Sequence, residues 1–219
     1  MGIIFDLDGT IVNSQRQHKL AVKTAIYKVF GDKSVPASFI VKNIRYPSYL
    51  LFKKIKTEYG LPLSGKNLRI VSELRDEYMN SELVRTVKFF GHVKETMAFL
   101  KLKGVKVSIA TAMNKTQLSK FIPILNLTSI SKIIVCPSSV RTEKPNPYIL
   151  NKAIKLSGMH RSKTIYVGDS PYDLIAANRA HISFIGMYNR ELRGKSRFMP
   201  DFLAFYEYIQ KNYEKYLDN

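Results

Sequence analysis

Two aspartates stand one residue apart in Asp6-Leu7-Asp8-Gly9-Thr10, directly after the apolar run Ile3-Ile4-Phe5. Three further stretches carry polar residues of complementary types. Thr111-Ala112 follows Val107-Ser108-Ile109-Ala110, Glu143-Lys144-Pro145-Asn146-Pro147 lies downstream of a run ending near Cys136, and Gly168-Asp169-Ser170-Pro171-Tyr172-Asp173 follows Ile165-Tyr166-Val167. Each stretch sits where an apolar run ends. In open parallel sheets, ligands collect beyond the carboxyl ends of the strands.

Brought together, Asp6, Asp8, Asp169 and Asp173 would form a cluster that repels itself unless a cation or a shared proton compensates it. Hard oxygen ligands with room for water and a phosphate suit Mg²⁺. A carboxylate can also act as a nucleophile toward phosphorus. A second carboxyl two residues away can protonate a leaving group and then activate water. Lys144 and Thr111 supply the positive charge and the hydroxyl donor that a transferring phosphoryl group requires. Phosphoryl transfer uses every one of these residues.

The elements that must position them follow from pattern. Strands are expected at Ile3–Leu7, Val105–Thr111, Lys132–Cys136, Thr164–Gly168 and Ser183–Met187, alternating with helix-period stretches such as Leu118, Phe121, Ile122 and Leu125. Asn146-Pro147 reads as the N-cap and first residue of a helix. Near the C-terminus, Phe202, Phe205, Tyr206, Ile209 and Tyr213 form one apolar stripe, expected to dock on the core. The fold class expected is therefore α/β, a Rossmann-like parallel sheet flanked by helices.

Ninety-seven residues, 8–104, separate the first expected strand from the next, and roughly seventy of them read as helical with no good strand. Val22, Ile26, Val29 and Phe30 make one stripe, Leu51, Phe52, Ile55 and Tyr59 a second, and Val71, Leu74 and Tyr78 a third. A crossover needs only one helix, so the extra ones form an insertion. The expected domains are an α/β core of residues 1–13 and 87–219 and an all-helical cap of residues 14–86.

The chain has 219 residues, with 35 Lys and Arg against 17 Asp and Glu, a net charge of +18. Such a field draws anions. Residues 14–86 carry fourteen basic and six acidic residues, the more densely basic part of the chain. No run of like charge marks a nucleic-acid arm. No apolar stretch approaches the roughly eighteen residues of a membrane span, and no signal peptide is visible. The single cysteine, Cys136, precludes an intramolecular disulfide and reads as a buried structural thiol. A cytoplasmic location is expected.

These motifs resemble those of the haloacid dehalogenase superfamily, in order and at compatible spacing. Asp6-x-Asp8-Gly9-Thr10 is similar to motif I, Thr111 to motif II, Lys144-Pro145 to motif III and Gly168-Asp169-Ser170-x-x-Asp173 to motif IV. A helical cap between motifs I and II resembles phosphoglycolate-phosphatase-like and β-phosphoglucomutase-like members. The resemblance implies Asp6 as nucleophile and Mg²⁺ ligand, and Asp8 as general acid/base with its carbonyl on the metal. It implies Asp169 as a further ligand with Asp173 behind it, Thr111 as a phosphoryl contact and Lys144 as the neutralising cation. Thr10 and Ala112 would line the phosphate, and His18, Arg45 and Tyr46 of the cap are candidate substrate contacts.

Some positions depart from the family's pattern. Asn13-Ser14 stands where members often have Asp-Ser, Glu143 where a glycine often precedes the lysine, Phe90-Gly91 for Pro-Gly, and Ala180-His181 for Ala-Gly. None removes a catalytic group. The expected function is a Mg²⁺-dependent phosphatase acting on a small phosphorylated metabolite through an aspartyl-phosphate. The alternatives are a sugar phosphomutase and a nucleic-acid-binding or regulatory protein on the same fold. Gly168 leans toward hydrolysis, because mutase-like members often carry glutamate there. Substrate identity and oligomeric state are not encoded in these motifs.

Overall fold

The computed structural model describes residues 1–31, 35–46 and 48–214. The chain divides into two compact units, Met1–Asn13 with Lys88–Asn219, and Ser14–Val87.

The larger unit is built on β1 (Gly2–Phe5), β2 (Val12–Asn13) and, after the helical unit, β3 (Lys88–Phe89), β4 (Lys106–Ala110), β5 (Ile134–Val135), β6 (Thr164–Gly168), β7 (Ser183–Met187) and β8 (Arg197–Met199). Six of these form one parallel sheet in the order β5-β4-β1-β6-β7-β8. β2 and β3 pair antiparallel by themselves. The first strand lies at the centre, with Ile4 opposite Ser108 on one side and Tyr166 on the other.

Period-two alternation sends neighbouring side chains to opposite faces. Phe5 packs between Phe202 and Phe205, with ring centroids 6.1 and 5.8 Å away. Ile4 and Tyr166 join the other face, with Ala110, Val135, Ile149, Leu150, Ala153 and Ala176. The apolar C-terminal stripe thus covers one face of the sheet. Tyr213 extends that layer, its ring 5.6 Å from Phe99.

The smaller unit contains α1 (Gln15–Phe30), α2 (Ala37–Asn43), α3 (Ser48–Tyr59), α4 (Gly65–Asn80) and α5 (Glu82–Arg85). Its core collects Val22, Ile26, Leu51, Phe52, Ile55 and Val71, with Val29, Phe30, Tyr59 and Leu74 packed around them. The three stripes seen in sequence therefore face one another. Gln17 closes the unit by donating through Nε2 to the Thr86 hydroxyl (2.9 Å) and carbonyl (3.3 Å). Among the described residues no helix is long and apolar enough to cross a membrane.

Several expected boundaries shift. The first strand ends at Phe5 because the Leu7 carbonyl closes a tight turn, accepting the Ile11 and Val12 amides at 3.1 and 2.9 Å. The third expected strand shrinks to Ile134–Val135. The helix following Lys144, α8 (Tyr148–Ser157), starts one residue after Pro147, with α6 (Val93–Leu102) and α7 (Lys115–Ile124) preceding it and α9 (Pro171–Arg179) and α10 (Phe202–Asn212) following. Asn146 instead folds back, its Oδ1 accepting the Tyr148 amide at 2.9 Å. Cys136 is half-buried rather than a core thiol. His181 adopts φ 52°, the left-handed conformation that histidine tolerates better than most residues.

Candidate active site

The centre of the site is carried by β1, β6, the start of α9 and the Lys144 loop. Asp6 continues past β1, its amide bonded to the Val167 carbonyl at 2.9 Å, and its side chain is buried at 4% exposure. Lys144, equally buried, donates through Nζ to Asp6 Oδ1 at 2.7 Å, to Asp173 Oδ1 at 2.6 Å and to the Tyr166 hydroxyl at 3.1 Å. Thr10 reaches Asp6 Oδ2 from the turn at 3.4 Å. The side chains of Asp6, Asp169 and Asp173 each offer an oxygen, and these lie within 4.8 Å of one another.

Asp173 is held by a capping box. Ser170 Oγ accepts the Asp173 amide at 3.1 Å, and Asp173 Oδ2 accepts from the Ser170 amide (3.0 Å) and hydroxyl (2.5 Å). Its Oδ1 takes Lys144 and the Tyr166 hydroxyl, both at 2.6 Å. A carboxylate offers about four lone-pair sites, and those of Asp173 are filled by these donors. Asp173 therefore anchors Lys144 and caps α9 at once, and Asp6 and Asp169 are the neighbouring carboxylates that could hold a metal.

The electrostatics follow from burial. Desolvation pushes the Asp6 carboxyl well above its ordinary pKa. The Asp173 and Asp169 charges push the same way, and Lys144 opposes them. Burial would raise Asp173 too, but the Lys144 charge and its hydrogen bonds hold Asp173 below the ordinary carboxylate value. For Lys144, burial would lower the pKa, and the carboxylates of Asp173 and Asp6 outweigh it. Three buried carboxylates thus meet one buried ammonium, an excess of negative charge that a divalent cation would neutralise.

The backbone makes room for this cluster. Gly9 sits at φ 77°, and a Cβ there would overlap Asp169, coming within 2.8 Å of its Cγ. Gly168 likewise lets Asp173 approach, since a Cβ would lie 2.7 Å from Asp173 Cβ and Cγ. Gly9→Ala should therefore cost about 1–3 kcal/mol of stability from left-handed backbone and overlap. It should also displace Asp169 and lower phosphate release at least about tenfold, a factor corresponding to 1.4 kcal/mol in the barrier. Thermal unfolding and a phosphate-release assay check both effects.

Other expected residues are placed less centrally. Thr111 is buried just past the end of β4, where its Oγ1 accepts the Met113 amide at 3.1 Å, a bond that leaves the hydroxyl hydrogen able to donate. Ala112 is exposed beside it, and Asp8 is half-buried in a turn bridging to Val12. His18, Arg45 and Tyr46 belong to the helical unit and are half-buried. With its amide oxygen turned toward Arg45, Gln15 accepts from Nε at 3.2 Å and Nη2 at 2.8 Å. Lys54 lies 5.1 Å over the Tyr46 ring. Tyr166, in sequence only one residue of an apolar strand, joins the site through its hydroxyl.

The haloacid dehalogenase-like hydrolase family model matches residues 3–187 of this chain. The chain belongs to that family. The haloacid dehalogenase-like match spans β1 to β7 and so includes all four motifs. The chain is 27% identical over 181 residues to the phosphoglycolate phosphatase of Aquifex aeolicus, covering 81% of this chain and 80% of that one. It is 24% identical over 216 residues to pyrophosphatase PpaX of Bacillus cereus, covering 92% and 90%. A hydrolase from Pseudomonas syringae shares the fold, with a TM-score of 0.81 at 23% identity over 96% of this chain and 98% of that one.

Proposed function

We propose that this protein is a Mg²⁺-dependent phosphatase that hydrolyses a small phosphorylated metabolite through an aspartyl-phosphate on Asp6. The observation that carries this reading is the buried Lys144 ammonium bonded to both Asp6 and Asp173, with Asp169 completing a carboxylate excess around it. Phosphatase and pyrophosphatase names among the relatives support it.

Lys144 fixes Asp6 Oδ1 and leaves Oδ2, which among the described residues takes only the 3.4 Å contact from Thr10, for attack on phosphorus. As the oxygen–phosphorus bond forms, the bond to the leaving oxygen breaks and Asp8 supplies its proton. The Asp8 carboxylate then takes a proton from water, whose oxygen displaces Asp6 and releases phosphate. Lys144 and the Thr111 hydroxyl balance the charge on the phosphoryl oxygens, with Ala112 beside them. Asp6 and Asp169, with the Asp8 carbonyl, would hold Mg²⁺, which when bound offsets the carboxylate excess and draws charge from the phosphoryl oxygens. Specificity is assigned to polar residues of the helical unit, Arg45, Tyr46 and His18, and the +18 charge favours anionic substrates. The intact core residues and the helical insertion favour a metabolite over nucleic acid as the substrate.

Gly168 also favours hydrolysis over mutase chemistry. A glutamate there would require Asp173 to move, because its Cβ alone would lie 2.7 Å from that side chain. A panel of phosphomonoesters, including phosphoglycolate, together with pyrophosphate tests the reading. With Mg²⁺, at least one compound should release phosphate. EDTA should reduce release to background, and Mg²⁺ in excess of the chelator should restore it. Transfer among sugar phosphates without release would overturn the phosphatase reading. So would release that is indifferent to EDTA.

A further inference from the structure

We infer that Tyr166 is a positioning residue for the Lys144 ammonium, the third arm of a clamp that holds it against Asp6. The inference rests on the phosphatase reading of the site and adds a residue that no motif includes.

Tyr166 sits in the middle of β6, opposite Ile4 of the central strand, and is fully buried. A tyrosine in such a place normally needs a partner for its hydroxyl. Here the hydroxyl donates to Asp173 Oδ1 at 2.6 Å and accepts from Lys144 Nζ at 3.1 Å. Donating to Asp173 turns its lone pairs toward the ammonium. A lysine ammonium has three N–H donors, and here they meet Asp6 Oδ1, Asp173 Oδ1 and the Tyr166 oxygen. With all three engaged, the flexible lysine side chain has one position, and the contact to Asp6 is fixed with it.

Burial, followed by the nearby Asp173 and Asp6 charges, pushes the Tyr166 phenol well above its ordinary pKa, so it stays a neutral donor. Removing the hydroxyl strips one acceptor from Lys144 and one donor from Asp173 at a single stroke. The ring itself packs against Phe184, with centroids 6.0 Å apart, and that contact survives in Tyr166→Phe.

The test compares Tyr166→Phe with Phe184→Leu, which disturbs the packing of the same ring without touching the hydroxyl. Steady-state hydrolysis of p-nitrophenyl phosphate with Mg²⁺ is measured at a temperature where thermal unfolding shows each variant folded. Tyr166→Phe should lower kcat about tenfold, the size expected for a hydrogen bond to a charged group, with KM within about twofold of wild type. Phe184→Leu should lower Tm and leave kcat near wild type. A Tyr166→Phe kcat within about twofold of wild type overturns the inference, as does an equal kcat loss in Phe184→Leu. Wild-type protein that releases no phosphate from this ester or from the substrate panel overturns the phosphatase reading and the inference together. Active wild type with an indifferent Tyr166→Phe overturns the inference alone.

Discussion

Asp6→Asn should lower kcat for phosphate release by on the order of 10³-fold or more, because an amide cannot form the acyl-phosphate. The fold should survive. Lys144 keeps its bonds to Asp173 and Tyr166, and an amide oxygen can still accept at the Asp6 position. The wild-type carboxylate is costly to ionise in this environment, through burial and the neighbouring carboxylates. Removing it should leave Tm unchanged or raise it, a pattern that separates a chemical role from a structural one. Phosphate release with excess substrate and a thermal melt read the two quantities. A dead variant that is also unfolded would place Asp6 in the scaffold instead.

Lys144→Ala should harm both activity and stability. It removes the cation that holds Asp6 in place and balances the phosphoryl oxygens, so kcat should fall by roughly 10²–10³-fold, the size of losing one electrostatic contact to the transition state. It also leaves two buried carboxylates without their ammonium, which should cost about 3–5 kcal/mol at neutral pH. The pH dependence has a definite sign. In wild type the Asp173 pKa is depressed below its ordinary 3.8, so its pairing stabilises the fold above that value. That contribution fades as pH falls through the lower folded value. The deficit of Lys144→Ala should therefore be largest near neutrality and shrink in acid, where both Asp6 and Asp173 take up protons. Urea unfolding of both proteins at neutral and acid pH measures it.

Much of this arrangement is legible in the sequence because it is written in local patterns. Apolar runs of three to five residues ending in Asp6, Thr111 and Asp169 give β1, β4 and β6, and parallel-sheet geometry then brings their ends together. The Ser170–Asp173 spacing announces both a helix start and a carboxylate near the others. Short elements escape such reading. Arg197–Met199 becomes a sixth strand only because β7 offers it an edge, with Gly186 opposite Phe198, and its three residues carry no period of their own. Tyr166 escapes for a different reason. Within Ile165-Tyr166-Val167 it looks like any aromatic strand residue, and its hydroxyl has a purpose only once Lys144, 22 positions away, arrives beside it. A tyrosine on the covered face of a central strand, three residues before a motif aspartate, is the signal that could have found it.

The division of labour between Asp6 and Asp8 is the central claim, and one measurement addresses both residues. p-Nitrophenolate leaves readily without a proton, so Asp8→Asn should still let Asp6 attack p-nitrophenyl phosphate, but it should not activate the second water. With Mg²⁺ present, this variant should release a burst of about one equivalent of nitrophenolate per protein and then stall. Acid quench and mass spectrometry should find one phosphoryl group on the peptide that contains Asp6. Steady nitrophenolate release with no burst, or a phosphoryl group on any other residue, would contradict the account.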